Sequence, residues 1–305
     1  MGFGDYLLVT ALANNINKQK QSRVRYTRKK YIVGDDSQLG QGIMIKNNPK
    51  FYQIENLYQS GPITHISREK HHYNLDSNEH QIIQMCKKVG IKNNIILKPE
   101  LYLTDEEYKN VNNKLKKINK PFIVLEPFSK KINDEFFNIL KKFTNHYKDK
   151  IQIVQVGSNK KKIYDKKNSK NRDKINNLGK DIITLNGKLS IRETIYLIQN
   201  SICFIGIEGA LVHGLASDIF YKKENKFVKI ENKSKGIIFL GGQMNPKSVM
   251  YPNFEYIILD PHKGKYCGKL GLMKKEKGKC EKCCKMFKKY KIEKIYDKVD
   301  RIISK

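Results

Sequence analysis

Hydrophobic positions along the chain follow two periods. Short apolar runs stand at residues 122–125, 151–156, 202–205, 237–240 and 256–259, and apolar residues recur every three or four positions over 133–143 and 191–198. The first pattern is that of strands buried on both faces, the second that of amphipathic helices. Strands alternating with helices predict a parallel sheet with ligands at its C-terminal edge. Nearer the start, Leu8, Leu12 and Ile16 recur at four-residue spacing with Val9 and Ala13 beside them, which predicts a first helix with one apolar face. A strand is expected at 31–34 and helices over 80–89 and 104–118, the latter opened by the capping box Thr104-Asp-Glu-Glu107. A second capping box, Ser190-Ile-Arg-Glu193, starts the helix that carries Ile191, Ile195 and Ile198. The charged segment 160–174 reads as a solvated loop. Ile292, Ile295, Val299 and Ile302 read as the buried stripe of one helix over 287–303, of the kind that reaches back to fasten two domains together.

The stretch Ser201-Ile-Cys-Phe-Ile-Gly-Ile-Glu-Gly-Ala-Leu-Val-His-Gly-Leu-Ala216 organises the rest. It predicts a buried strand, a glycine turn in which Gly206 and Gly209 bracket Glu208, and a close-packed helix over 210–216. That order brings backbone N–H groups and a positive helix end to the strand's C-terminal edge, a geometry suited to phosphate. Glu208 and His213 are the polar side chains the turn presents; a packed histidine in a glycine-rich turn accounts for the same residues. At the start, Gly2-Phe-Gly4-Asp5 predicts a glycine loop running into the first helix. Asp5 there is either a helix cap or a functional carboxylate. A loop of this kind ordinarily follows a strand, so the N-terminal sheet is expected to lack its first strand. His65, Arg68, His71 and His72 form a polar cluster that either meets a substrate or is solvated.

Length and charge narrow the classes. The 305 residues suggest two domains, with boundaries that divide the chain into 1–120, 121–286 and a terminal helix 287–305. Sixty Lys+Arg against thirty Asp+Glu give a net charge of +30. The lysines are spread along the chain among many Asn and Ile, residues that share AT-rich codons, so base composition accounts for much of the excess. Attraction to an anionic lipid surface accounts for some, and no nucleic-acid-binding signature supports a nucleic-acid partner. No run approaches the roughly 18 apolar residues of a membrane span. The first residues lack a secretory signal pattern, so a cytoplasmic protein is expected, at most lying at the inner face of the membrane. Six cysteines in so lysine-rich a chain do not suggest a disulfide framework. Cys280-Glu-Lys-Cys283 has zinc-ligand spacing, and with Cys267 and Cys284 it suggests a structural zinc site; free thiols on a compact loop are the other reading.

Together these motifs resemble glycosyltransferase family 9, the heptosyltransferase-like enzymes of the GT-B fold, over most of the chain. Gly2-Phe-Gly-Asp5 with Leu7-Leu-Val-Thr-Ala-Leu12 resembles the family's glycine–aspartate loop and first helix, and Leu185-Asn-Gly-Lys-Leu-Ser190 the stretch before its donor motif. In the donor signature itself, Glu208 stands where Asp is usual, Gly209 where Ser or Thr is usual and Ala210 where Gly is usual, while His213 keeps its place. The glycine pair Gly241-Gly242 and the cysteine-rich tail are similar to those of a bacterial subgroup. The resemblance implies an α/β protein with two Rossmann-like domains facing a cleft. It implies inverting transfer of a sugar from a nucleotide-sugar donor to a surface-glycan or lipopolysaccharide-type acceptor, with no metal needed for catalysis. Asp5 is then the general base, and Glu208, Gly209, Ala210 and His213, helped by Ser129 and Lys130, hold the donor. Two rivals remain: an epimerase-like or inactive protein of the same fold, and a basic nucleic-acid binder.

Overall fold

The computed structural model describes residues 3–21, 23–27, 44–50, 63–67, 74–118, 120–127, 134–157, 178–242, 244–260, 263–264 and 281–304. The first described element, helix α1 (Phe3–Lys20), is buried over an unbroken run from Tyr6 to Ala13. One apolar face was expected; the helix is instead enclosed on several sides, because other helices and strands pack around it. Thr10 shows how its polar positions are accommodated: Oγ1 donates to the Leu7 carbonyl at 2.7 Å and accepts the Glu100 N–H at 2.8 Å. Strands β1 (Arg23–Thr27) and β2 (Ile63–Ser67) form a parallel pair. Helix α2 (Gln81–Lys88) is capped by His80. Strand β3 (Glu100–Leu103) leads into α3 (Asp105–Ile118), where both hydrogen bonds of the Thr104/Glu107 capping box form.

From residue 122 the alternation read from the sequence is realised. Strands β4 (Phe122–Leu125), β5 (Gln152–Gln155), β6 (Ile183–Thr184) and β7 (Cys203–Ile207) alternate with helices α4 (Asp134–Tyr147) and α5 (Ile191–Gln199), the latter carrying its full capping box. Helix α6 (Ala210–Leu215) follows β7, and then come β8 (Asp218–Lys223), β9 (Lys226–Ile230), β10 (Lys235–Gly241) and β11 (Glu255–Leu259). Six of these strands form one all-parallel sheet in the order β11-β10-β7-β4-β5-β6. In chain order that is the 3-2-1-4-5-6 arrangement of a doubly wound sheet, whose order reverses between β4 and β7. Successive side chains fill opposite cores: Ile123 and Leu125 join Phe136, Phe143 and Phe239 on one face, Phe122 and Val124 join Leu197, Val212 and Leu7 on the other. Both faces being buried explains why these strands read as solid apolar runs.

Two features depart from the expected plan. Strand β3 does not extend the β1–β2 pair; it lies parallel to β8, which turns back antiparallel into β9. A three-stranded mixed sheet therefore joins residues from before and after position 120. Its hairpin turn is Glu224-Asn225, both at positive φ (47° and 66°), the two-residue geometry that matches strand twist. The terminal helix is in two pieces, α7 (Glu281–Lys289) and α8 (Glu293–Ile303). Phe287 and Ile292 are five residues apart, which at 100° per residue puts them roughly 140° apart around a continuous helix; breaking the helix lets both face the same core. α8 buries Ile295 and Val299 in the α4 layer, and Tyr147 Oη donates to Asp300 Oδ1 at 2.6 Å, so α8 packs on its own layer rather than across the molecule. No helix among the described residues is long and apolar enough to cross a membrane. The expected strand at 31–34 and the loop at 160–174 lie outside the described residues.

Candidate active site

Ligands of a doubly wound sheet bind outside the strand ends where the order reverses. There the chain places two acids, Glu126 after β4 and Glu208 after β7. Each is anchored by its neighbour strand, the Glu126 N–H donating to Ile205 O at 3.1 Å and the Glu208 N–H to Phe239 O at 3.2 Å. Both side chains are buried. Gly206, expected in the turn, lies inside β7, and its lack of a side chain is a matter of space. A Cβ there would fall 2.6 Å from the Phe204 ring and 3.3 Å from Glu126 Oε2. A glycine inside a strand often marks such close approach.

Gly209 then turns the chain in an extended conformation (φ 174°, ψ −165°) into α6, and its carbonyl accepts the Val212 N–H at 3.1 Å. A Cβ on Gly209 would meet nothing nearer than Ile207 O at 3.7 Å, so a side chain fits here. α6 has six residues, fewer than two turns. Its first turn abuts the first turn of α1: a Cβ on Gly4 would lie 3.0 Å from His213 Cδ2 and 3.4 Å from Ala210 Cα. Gly4, expected in a loop, is thus a helical residue that lets two helices meet, and Asp5 follows it, half-buried.

His213 is enclosed. Nδ1 lies 2.8 Å from Tyr251 Oη, and Nε2 lies 3.8 Å from Glu208 Oε1, an ion pair whenever the ring is protonated. Tyr251 is placed by its own backbone, whose N–H donates to Tyr256 Oη at 2.7 Å. On its other side Tyr251 meets the His80 ring edge-on, centroids 4.8 Å apart. His80 belongs to the earlier half of the chain, and that half is clasped to the later one nearby: Asn245 N–H donates to Leu75 O at 2.9 Å, and its side chain donates to Asn78 Oδ1 at 3.0 Å.

Of the residues singled out from the sequence, the structure brings together Gly4, Asp5, Glu208, Gly209, Ala210 and His213. Ser129, Lys130 and Gly2 lie outside the described residues, as do Arg68, His71 and His72; His65 is on β2. Cys267 and Cys280 are also outside them. Cys283 and Cys284 fall on α7, and the other two cysteines, Cys86 and Cys203, are buried free thiols. Among the described residues no group of His, Cys, Asp and Glu is arranged to hold a metal ion. Three residues of the site escaped sequence reasoning: Glu126, Tyr251 and His80. Glu126 had a visible signal, an acid directly after a buried strand; Tyr251 and His80 are recognisable only once the two halves of the chain are docked.

Comparison with solved structures identifies the architecture. The glycosyl transferase family 9 structure from Veillonella parvula DSM 2008 matches with a TM-score of 0.60 at 12% identity, over 99% of this chain and 94% of that one. The ADP-heptose LPS heptosyltransferase II structure from E. coli matches with a TM-score of 0.50 at 10% identity, over 99% of this chain and 96% of that one. At such identities the likeness is one of fold: the chain has the GT-B-type α/β fold of these glycosyltransferases. No protein-family model and no curated protein matches the sequence.

Proposed function

We propose that the protein is an inverting, metal-independent glycosyltransferase that moves a sugar from a nucleotide-sugar donor onto a surface-glycan or lipopolysaccharide-type acceptor. The observation that carries the reading is the meeting of α1 and α6. Gly4, the residue before Asp5, packs on the ring of His213 at the point where the sheet order reverses. This supports reading Asp5, the next residue of α1, as the carboxylate that serves the turn where such folds bind nucleotides. In the reaction the acceptor hydroxyl oxygen attacks the anomeric carbon while its proton passes to the Asp5 carboxylate. The bond from that carbon to the diphosphate oxygen breaks on the opposite face, its electron pair leaves with the diphosphate, and the configuration inverts. Charge building on the leaving diphosphate is met by the N–H groups of Gly209 and Ala210 and by His213, with Ser129 and Lys130 completing the donor seat. Glu208 holds His213 in register.

The fold of both neighbours, and the identity of one of them as an ADP-heptose LPS heptosyltransferase, support this choice of substrate classes. The net charge of +30 suits work at the cytoplasmic face of an anionic membrane, where lipid-linked acceptors lie. The decisive experiment incubates purified protein with a panel of ADP-, UDP- and GDP-sugars, with and without a lipopolysaccharide core acceptor. Nucleoside diphosphate released only when acceptor is present, together with a glycosylated product of inverted configuration, is the expected result. Donor turnover that ignores the acceptor would favour an epimerase-like activity, and no turnover of any donor would overturn the reading.

A further inference from the structure

We propose that His80 is a substrate-contacting residue whose Nε2–H donates a hydrogen bond to an oxygen of the bound nucleotide sugar; the inference rests on the glycosyltransferase reading and deepens it. The argument starts from the proton. His80 Nδ1 accepts the Ile82 N–H at 3.2 Å as the N-cap of α2, so Nδ1 carries the lone pair and a neutral ring must carry its proton on Nε2. Burial pushes the ring's pKa down to about 4, so it is neutral at ordinary pH.

Nε2–H is therefore a donor of known polarity. It is buried, in a side chain of a residue only 4% exposed, and among the described residues no hydrogen-bond acceptor meets it. Leaving such a donor unsatisfied costs free energy, and a cap alone does not call for it. Ser would cap α2 at least as well without bringing a second polar atom into the interior. A residue that breaks a local rule in this way is best explained by what it does for a ligand.

The position agrees. The His80 ring packs against Tyr251, and the Tyr251 hydroxyl is hydrogen-bonded to His213, so one aromatic ring separates His80 from the donor motif. Asn245 clasps the segment leading to His80 onto the loop leading to Tyr251, which fixes this neighbourhood across the two halves of the chain. A neutral N–H suits a sugar hydroxyl or a phosphate oxygen, both hydrogen-bond acceptors on a nucleotide sugar. Apart from a ligand, the competing occupant is a buried water.

The test uses the full chain labelled with ¹⁵N-histidine and follows the His80 ring nitrogens, first alone, then with each ADP-, UDP- or GDP-sugar and with the corresponding nucleoside diphosphate. Two variants accompany it: His80→Asn, which can still cap α2 but lacks an atom at the Nε2 position, and His80→Gln, whose longer amide reaches toward that position. The expected result is an Nε2–H tautomer whose resonance shifts when the nucleotide sugar binds. His80→Asn should weaken that binding about 3- to 100-fold with an unchanged melting temperature, and His80→Gln should restore part of it. A shift with the diphosphate alone assigns the contact to phosphate; a shift with the sugar nucleotide only assigns it to the sugar. Binding that leaves the His80 resonance unmoved and His80→Asn as tight as wild type would overturn the inference, assigning the partner to water, while the glycosyltransferase reading stands. An Nδ1–H tautomer would overturn it as well. If no nucleotide sugar binds the wild-type protein, the functional reading falls and this inference falls with it.

Discussion

Arg192 is the largest fully buried side chain among the described residues, and the fate of its charge offers the most direct test of how the halves of the chain are joined. It stands on α5, and Glu107, its partner, is the capping-box glutamate of α3. Nε donates to Glu107 Oε1 at 2.7 Å and a terminal nitrogen to Oε2 at 3.0 Å, while the same nitrogen donates to the Tyr102 carbonyl. The side chains are 2% and 16% exposed, so the pair is largely withdrawn from water. Two unit charges about 4 Å apart at an effective dielectric of about 20 attract by roughly 4 kcal/mol. Removing one partner of such a pair costs about 3–5 kcal/mol, because the other is left buried. Arg192→Met should fall near the lower end, since Glu107 retains some access to water, and Glu107→Gln near the upper end, since the guanidinium has almost none.

A double-mutant cycle by urea denaturation at pH 7 measures the coupling: the double variant should lose at least about 2 kcal/mol less than the sum of the singles. The pH dependence has a definite sign. Burial alone would raise the Glu107 carboxyl, but the hydrogen bonds and charge of Arg192, with the bonds from Thr104, hold it below the usual carboxylate range. A lowered folded pKa gives stability that is fully present above the unfolded value of about 4.3 and is lost as pH falls through the folded one. The gap between wild type and Glu107→Gln should therefore be flat from about pH 6 to 8 and close below about pH 4. Arg192→Met costing under about 1 kcal/mol, or single effects that simply add, would refute the reasoning.

Asp5 lies inside the first turn of α1 rather than at its cap, and Asp5→Asn should lower turnover by about 10²–10⁴-fold with donor affinity nearly unchanged; normal transfer kinetics would leave Asp5 only a first-turn charge that favours the helix dipole. His213→Ala should weaken nucleotide-sugar binding by about 1–3 kcal/mol in calorimetry, and unchanged affinity with a normal melting curve would return His213 to the packed histidines. Gly214→Ala would set a Cβ 2.4 Å from Ile195 Cγ1; overpacking of about 1–3 kcal/mol should outweigh a helix-propensity gain of about 1 kcal/mol, so a higher melting temperature would contradict the α5–α6 packing. If Cys267, Cys280, Cys283 and Cys284 hold a structural zinc, elemental analysis should find about one equivalent in the purified protein, and folded metal-free protein would end that reading.

What was legible in the sequence was whatever local pattern controls. The buried strands announced themselves because both faces of the sheet are covered, and the two capping boxes because the Thr104/Glu107 and Ser190/Glu193 spacing is itself the mechanism. The same glutamates also act at long range: Glu107 takes Arg192, and Glu193 accepts from Asn110 on the facing helix. Nothing in either box signals that second use. The β8–β9 hairpin was readable in principle, since Asp218–Lys223 and Lys226–Ile230 flank a two-residue turn, but Lys-rich alternation resembles a solvated segment. Strand β3 was harder: four residues long, it is a strand because β8, more than a hundred positions later, lies beside it. The break between α7 and α8 lay hidden in a phase error, the stripe of 292, 295, 299 and 302 being consistent only when counted from 292.

The candidate site belongs to the same long-range class, and the reason is its place at a seam. α1 brings Gly4 and Asp5 to His213, the segment before α2 brings His80 to Tyr251, and β3 pairs with β8 a few residues beyond α6. Each of these contacts joins residues from before position 120 to residues after 200, and Tyr108 stacked on Tyr221 at 4.2 Å adds another on the same seam. A nucleotide-binding turn needs only its own strand and helix, so Glu208, Gly209 and His213 could be picked out in order. On the proposed reading, aligning an acceptor against a donor needs the other half of the chain, where Gly4 and Asp5 were signalled by their glycine–aspartate motif but His80 follows no period and no motif. The substitutions with the greatest leverage on transfer should therefore be those that shift α1 against α6. Gly4, where one added methyl would press on both the His213 ring and the Ala210 backbone, is the position where packing and chemistry are most closely coupled.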